Sequence, residues 1–455
     1  MSLPKYDSYT ASDIEWLGEV PEHWKIVPLK YLVRLKSGGT PAKDNRAFWN
    51  GSVPWASAKD LKADIIFDTA DHITEAALSL GGAELITERG VLVLVRGMTL
   101  AHSFPVVVAG RPMAINQDLK ALVARKGLQQ AFLAWLLRGS AKESLSRIDE
   151  AGHGTKALRM EAWTSLRLPV PPSSEQLAIA TFLDRETAKI DALVDEQKRL
   201  IELLKEKRQA VISHAVTKGL DPNAPVKDSG VEWLGQVPEH WSVGRLGRWL
   251  DILSGYAFPS AAFTDDRSAT RLLRGVNVGV QKVSWTETVY WERQPNDGLD
   301  RFALSVGELV IGMDRPWITE GTRVAVLGPE DVPCLLLQRV AALRPRLVLE
   351  RMYLYLMLQS REFVDFLTPD MTGVSVPHIS PEQIREYPVA IPPTSEQIEI
   401  VRYVEGQVTR TVRLIGEAQC AVALLQERRS ALISAAVTGK IDVRSVPAEI
   451  ADAAA

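Results

Sequence analysis

The side chains best suited to acid–base work are two His–Glu pairs, Glu22–His23 and Glu239–His240. An imidazole beside a carboxylate can move a proton near neutral pH. Both pairs lie inside an eleven-residue phrase that occurs twice. "IEWLGEVPEHW" fills 14–24 and "VEWLGQVPEHW" fills 231–241, with nine residues identical and 217 positions between the copies. A phrase copied within a frame points to a structural role for both pairs. Other catalytic signatures are missing. There is no G-x-x-x-x-G-K-[ST] loop, because "AAVTGK" lacks the first glycine, and there is no G-x-G-x-x-G or H-E-x-x-H. The seven histidines are not spaced as metal ligands. The Asn/Asp-Pro-Pro-aromatic arrangement that positions an adenine amino group is absent, since "VPPS" and "IPPT" lack both the amide and the aromatic.

Binding chemistry is better represented. "KSGGTPAKDNRAFWNGSVPWASAKDL" (36–61) sets Lys36, Lys43, Arg46 and Lys59 around Gly38, Gly39 and Pro41, with Trp49 and Trp55 interleaved. Basic groups among aromatics and glycines can track a phosphate backbone. The two tryptophans are read as closing a local core. "AGHGTKAL" (151–158) and "MTGVSVPHIS" (371–380) bring Thr, Lys, His and Ser that can donate to bases or phosphates, or form surface turns. The overall charge of −3 conceals a distribution. Residues 26–168 hold 19 Lys+Arg against 13 Asp+Glu, while 243–388 hold 16 against 18, 15 of those 16 being Arg. Arginine suits bidentate contacts with phosphate and guanine.

The elements that carry these residues repeat as well. "VPPSSEQLAI" (170–179) returns as "IPPTSEQIEI" (391–400), and "EKRQAVISHAVTKG" (206–219) as "ERRSALISAAVTGK" (427–440), both at an offset of 221. The chain of 455 residues is therefore a tandem duplication with a pseudo-twofold plan, the frame retained and the inserts varied. Pro-Pro followed by Ser-Glu-Gln or Thr-Ser-Glu-Gln is a helix start. Apolar residues then step as a heptad seam through Ile179, Leu183, Ile190, Leu193, Leu200, Leu204 and Val211, and through Ile400, Val404, Leu414, Leu425 and Leu432. About 42 helical residues make a rod of roughly 60 Å, and one such rod cannot bury its own seam. Two in one chain predict an antiparallel intrachain coiled coil.

Apolar strands such as "GVLVLVRG" and "GELVIGMDRPW" are followed by helical stretches such as "QQAFLAWLLRGS". The expected class is α+β, two mixed α/β blocks separated by two long helices. The boundaries run 1–168 for the first block with its opening phrase, 169–220 for the central helix, and 221–242 for a linker and the second phrase. The second block follows at 243–389, the last helix at 390–440, and a disordered tail at 441–455. Two cysteines exclude a disulfide framework. No signal-peptide pattern and no span-length apolar run are visible, so a cytoplasmic protein without membrane contact is expected.

The repeated WLGxVPEHW, the two variable blocks and the P-P-x-S-E-Q helices, in order and twice, resemble the specificity subunit of type I restriction–modification systems across essentially the whole chain. That resemblance implies a non-catalytic subunit whose blocks are target recognition domains, each reading half of a bipartite site in double-stranded DNA. It implies that the helices act as a spacer on which two methyltransferase subunits dock, and that two motor-nuclease subunits can join them. S-adenosylmethionine, ATP and magnesium would be carried by those partners, with no cofactor or metal in this chain. Candidate DNA contacts are Lys36, Thr40, Lys43, Arg46 and Lys59 in the first block, and Tyr256, Arg274, Asn277, Lys282 and Arg315 in the second. The rival readings are a coiled-coil adaptor presenting two protein-binding domains, and a stand-alone nuclease.

Overall fold

The computed structural model describes residues 3–444 apart from 88, 151–154, 320, 347 and 370–376. The chain divides into two units, residues 1–197 with 420–455, and residues 198–419. Two long helices, α1 (Ser173–Lys218) and α2 (Thr394–Val437), each begin in one unit and end in the other. The division therefore cuts through both helices rather than between the six segments expected from sequence. Each block packs on one half of α1 and one half of α2.

The blocks share one architecture that their sequences hardly reveal. In the first unit, a sheet runs in the order β1 (Val33–Ser37), β3 (Leu119–Ala124), β2 (Val91–Leu94), Val106–Ala109 and Ile65–Ile66. In the second unit the order is β4 (Leu250–Ser254), β6 (Val340–Pro345), β5 (Leu309–Gly312) and Val324–Val326. The other sheet of the first unit is Asp71–Ile73, Trp49–Ala56, Met113–Ile115 and Leu85–Ile86. Its counterpart is Tyr290–Trp291, Thr270–Leu273, Cys334–Leu336 and Ala303–Leu304. In both, the two central strands are parallel and the outer pairings antiparallel. All four residues of β2 and of β5 are buried. Strands covered on both faces read as continuous apolar runs, without the alternation of a half-exposed strand.

Helices Gln130–Gly139 and Arg351–Gln359 lie 221 positions apart and back these sheets, six of ten and five of nine residues being buried. Helices this short are marginal in isolation. Burial of Phe132, Leu133, Leu136 and Leu137, worth roughly 1.5–3 kcal/mol each, holds the first in place.

Within the first unit, Ile179 and Leu183 of α1 share a core with Ile433 and Val437 of α2. Further along α1, Asp191 accepts from Arg429 at 2.9 Å, so the helices run in opposite directions. In the second unit, Ile212, Ala215 and Val216 share a core with Ile400, Val401 and Val404. The seam corrects the heptad expectation in part. Ile179, Leu183, Ile190, Ile400 and Val404 are buried; Leu204, Val211, Leu414, Leu425 and Leu432 are half-buried. Leu193 and Leu200, however, are 37% and 42% exposed, and Val194 and Ile201 are buried instead. A helix of 3.6 residues per turn drifts about 20° per heptad from a strict seven-residue repeat. The buried stripe therefore slips by one residue along α1.

The repeated phrases explain themselves here. His23 Nε2 lies 2.6 Å from Glu175 Oε1, and Trp24 Nε1 donates to Glu175 Oε2 at 3.0 Å. Their copies match, with His240 Nε2 at 2.6 Å from Glu396 Oε2 and Trp241 Nε1 at 3.1 Å from Oε1. The neighbouring glutamines, both fully buried, face the blocks. Gln176 accepts from Gln129 N at 2.8 Å and donates to the carbonyls of Gly127 and Pro171. Gln397 does the same with Glu350 N, Val348 and Pro392. The Glu-Gln pair thus ties each helix start to a PEHW phrase on one side and to a block on the other. The histidines serve this tie.

The first unit adds a closure. Tyr6 donates to Glu175 at 3.3 Å, and the Arg444 guanidinium lies 4.9 Å from the Tyr6 ring and 3.6 Å from the carboxylate. Burial, then the charge of Glu175, pushes the Tyr6 pKa up. Asp442 N donates to Pro4 O at 2.8 Å, and Val443 is buried. Residues 441–444 are therefore packed, which corrects the expected tail; 445–455 lie outside the described residues.

Candidate nucleic-acid interface

Four segments converge at one end of each block, joined by matching backbone bonds. In the first unit Gly39 N donates to Ile115 O, Asn116 N to Ala56 O, Val95 N to Asp118 O and Leu158 N to Val95 O, all between 2.8 and 3.0 Å. In the second unit the corresponding bonds are Tyr256 N to Leu336 O, Leu337 N to Leu273 O, Met313 N to Arg339 O and Ile379 N to Met313 O, between 2.9 and 3.1 Å. The approach is close enough to demand glycine. A Cβ on Gly38 would stand 2.1 Å from the carbonyl oxygens of Ile115 and Asn116, and one on Gly255 would stand 2.1 Å from that of Leu337. Glycine is the residue that tolerates such backbone proximity.

The first block's candidates fall on these segments to different degrees. Lys36 lies on β1, 3.9 Å from Glu84. The Thr40 hydroxyl donates to the Gln117 side chain. Lys43 and Arg46 are exposed. Lys59 is exposed too and donates to Asp71 at 2.7 Å, and that bond raises its pKa. Trp49 and Trp55 meet edge to face at 5.2 Å and donate to Ala42 O and Gly39 O. They pin the Gly-Gly loop, as a core-closing role requires.

In the second block Tyr256 is exposed, its ring backed by Phe258 and Phe302. Lys282 and Arg315 are exposed. Asn277 corrects the sequence reading. It is 1% exposed; its Oδ1 accepts from Arg274 N and its Nδ2 donates to Ser284 O at 2.9 Å. It closes a short turn as Asp60 does for Ser57 in the first block, so its amide is consumed internally. Arg274 is likewise committed, donating to Glu287 O at 2.7 Å. Residues 151–154 and 371–376 of the two polar loops lie outside the described residues.

Sequence reasoning passed over Gln117, Asp118, Gln338 and Arg339. Gln117, Gln338 and Arg339 are exposed at the point of convergence and Asp118 is half-buried there. The signal was available, since "INQD" and "LLQR" stand 221 apart between matching strands. Around Arg339 and Arg315 an open recess is lined by Gly275, Asp314, Arg323 and Gln338 as well. Arg323 braces it, donating to Val278 O at 2.8 Å, to Asp314 O at 2.9 Å and to Gly275 O. Among the described residues, no three His, Cys, Asp or Glu side chains are grouped to hold a metal, and no helix is long and apolar enough to cross a membrane.

The family model for the type I restriction modification DNA specificity domain matches residues 21–203 and 314–418, well over half the chain. The chain belongs to this family. A specificity subunit named for the type I enzyme MjaVIII of Methanocaldococcus jannaschii is 24% identical over 94% of this chain and 95% of its own length. The EcoAI specificity subunit of Escherichia coli is 31% identical over 44% of this chain and 34% of its own. Among solved structures, a chain from work on the complex assembly and conformational transition of the type I restriction–modification system matches with a TM-score of 0.69 at 16% identity, covering 92% of this chain and 98% of that one. The HsdS subunit from Thermoanaerobacter tengcongensis matches with a TM-score of 0.53 at 17% identity, covering 93% and 98%. This specificity subunit is a DNA sequence-recognition protein with the family's fold. The adaptor reading falls away.

Proposed function

We propose that each block reads one half of a bipartite site in double-stranded DNA, and that the paired helices set the distance between the halves. The carrying observation is the contrast within the duplication. Two blocks share a common order of four strands in each of two sheets and the same convergent backbone bonds, yet present different side chains at that point. A common scaffold with variable loops is how one fold reads two sequences, with phosphate contacts setting register and base-edge contacts setting specificity. Lys43, Arg46, Lys282 and Arg315 suit the first task.

The chain itself is non-catalytic in this reading. Two methyltransferase subunits carry S-adenosylmethionine, and two motor-nuclease subunits, where present, carry ATP and magnesium. Two identical partners need two similar surfaces. Leu177 and Ile398 are both exposed and 221 positions apart, as are Leu203 and Leu424, which supports docking along the helices. Genome-wide adenine methylation in cells carrying the methyltransferase subunit tests the whole reading. A gapped, two-part methylated motif is expected only when this chain is present; its absence, with both proteins expressed and in solution, contradicts the proposal. Lengthening α1 by one heptad should change the gap or abolish methylation, and an unchanged gap would sink the spacer role.

A further inference from the structure

We infer that one turn in each block, Gln117–Asp118 in the first and Gln338–Arg339 in the second, supplies base-reading side chains, and that the second position of the turn sets which base is read. This rests on the proposed function and extends it to residues and chemistry.

The turn is rigid. It joins parallel-paired strand Met113–Ile115 to β3, and Cys334–Leu336 to β6. Its backbone is bonded on both sides, to the Gly-Gly or Gly-Tyr loop and to the segment after the buried central strand. Discrimination between bases depends on donors held in fixed positions, which a turn bonded to two sheets provides better than a free loop. Three of its four side chains face outward rather than into the core, and Asp118 is half-buried beside them, its Oδ2 accepting from Asn116 at 3.3 Å and Gln117 at 3.4 Å. Gln117, Gln338 and Arg339 are exposed, and Arg339 adopts a left-handed backbone, φ +69°. Non-glycine residues take up that conformation at a cost, and such residues gather at functional sites.

The chemistry differs in an interpretable way. The glutamine is shared, and a carboxamide can pair with adenine N6 and N7. The next position is Asp118 in one block and Arg339 in the other. A carboxylate accepts from an exocyclic amine, as on cytosine or adenine. A guanidinium donates to guanine O6 and N7. The blocks should therefore differ in preference at one base pair of each half-site, an amine facing Asp118 and a guanine facing Arg339.

Arg339→Ala and Asp118→Ala test this in cells carrying the methyltransferase subunit, read by genome-wide adenine methylation. Arg339→Ala should lower selectivity at one position of one half-site by roughly tenfold or more, leaving the other half-site unchanged. Asp118→Ala should do the same in the other half-site. The untouched half-site reports that each variant still folds and docks. A wild-type motif retained at full selectivity by both variants would overturn this inference and leave the proposed function standing. Loss of all methylation in Arg339→Ala that Arg339→Lys and Arg339→Gln both restore with the original motif would show a structural residue, and would overturn it too. No two-part motif from the wild-type chain would instead overturn the function on which it rests.

Discussion

The two blocks differ most where they are least buried, and the two frame segments differ most where the chain ends. Between the blocks, the order of the four strands common to each sheet, the parallel pairing at the centre of the second sheet and the convergent backbone bonds are the same, the first block adding the strand Ile65–Ile66, while the turn changes from Asp118 to Arg339 and the loop beside it from Gly39 to Tyr256. Between the frames, the PEHW phrases bind Glu175 and Glu396 alike. Among the described residues, Glu175 is also met by Tyr6 and Arg444. The duplication keeps the frame alike twice and varies the side chains that, on the proposed function, tell two sequences apart.

The largest effect is expected where the units are most alike. Gln176→Ala strands a buried N–H and two carbonyls, three bonds at roughly 1 kcal/mol each before any penalty for unmet groups, so about 3 kcal/mol or more should be lost. Gln397→Ala should cost the same in the second unit. Chemical denaturation of both variants checks the equality; a tolerated variant in either unit would break the likeness. Next come Gly38→Ala and Gly255→Ala, each forcing a Cβ to 2.1 Å from a backbone carbonyl. Roughly 1–3 kcal/mol of overpacking is expected, with recognition lost in one half-site only, the half differing between the two variants. Methylation that loses both halves equally would contradict separate blocks.

The chain-end closure sharpens the contrast. Among the described residues, Glu175→Gln removes a carboxylate with four partners, Glu396→Gln one with two. The first should cost about 2 kcal/mol and the second nearer 1, since Glu396 is also more exposed. Equal losses by denaturation would deny Tyr6 and Arg444 a role. The smallest effect concerns the cores. Cys334 stands 221 positions after Met113, and burial pushes its thiol up to about 12, whereas Cys420 is exposed. Because the thiolate is the reactive form, a thiol reagent near pH 8 should label Cys420 and spare Cys334 until the chain unfolds. Rapid labelling of both in the native chain would show that the second block opens more readily than its packing implies.

The sequence was legible where physical demands are strict. Pro-Pro followed by Ser-Glu-Gln marked both long helices to within a few residues, because proline and capping groups act locally. Exact repeats marked the frame. What the Glu-Gln pair does was not legible, since its partners lie about 50 to 150 residues away in the chain. The shared architecture of the blocks was hidden as well. A buried strand needs only apolar residues of suitable shape, so "VLVL" and "LVIG" do the same work without looking alike. The seam slips at Leu193 and Leu200 because an α-helix does not repeat every seven residues. Asn277 was out of reach for one reason. Polar type suggests binding, but its amide is spent on internal partners that composition cannot reveal.

The most direct test exchanges residues 26–168 for the corresponding block of a specificity subunit with a known target, and reads genome-wide adenine methylation in the presence of the methyltransferase subunit. One half of the motif should change to that of the donor, with the other half and the gap retained. A motif changed in both halves, or in neither, would contradict a chain built from two independent readers on one shared frame.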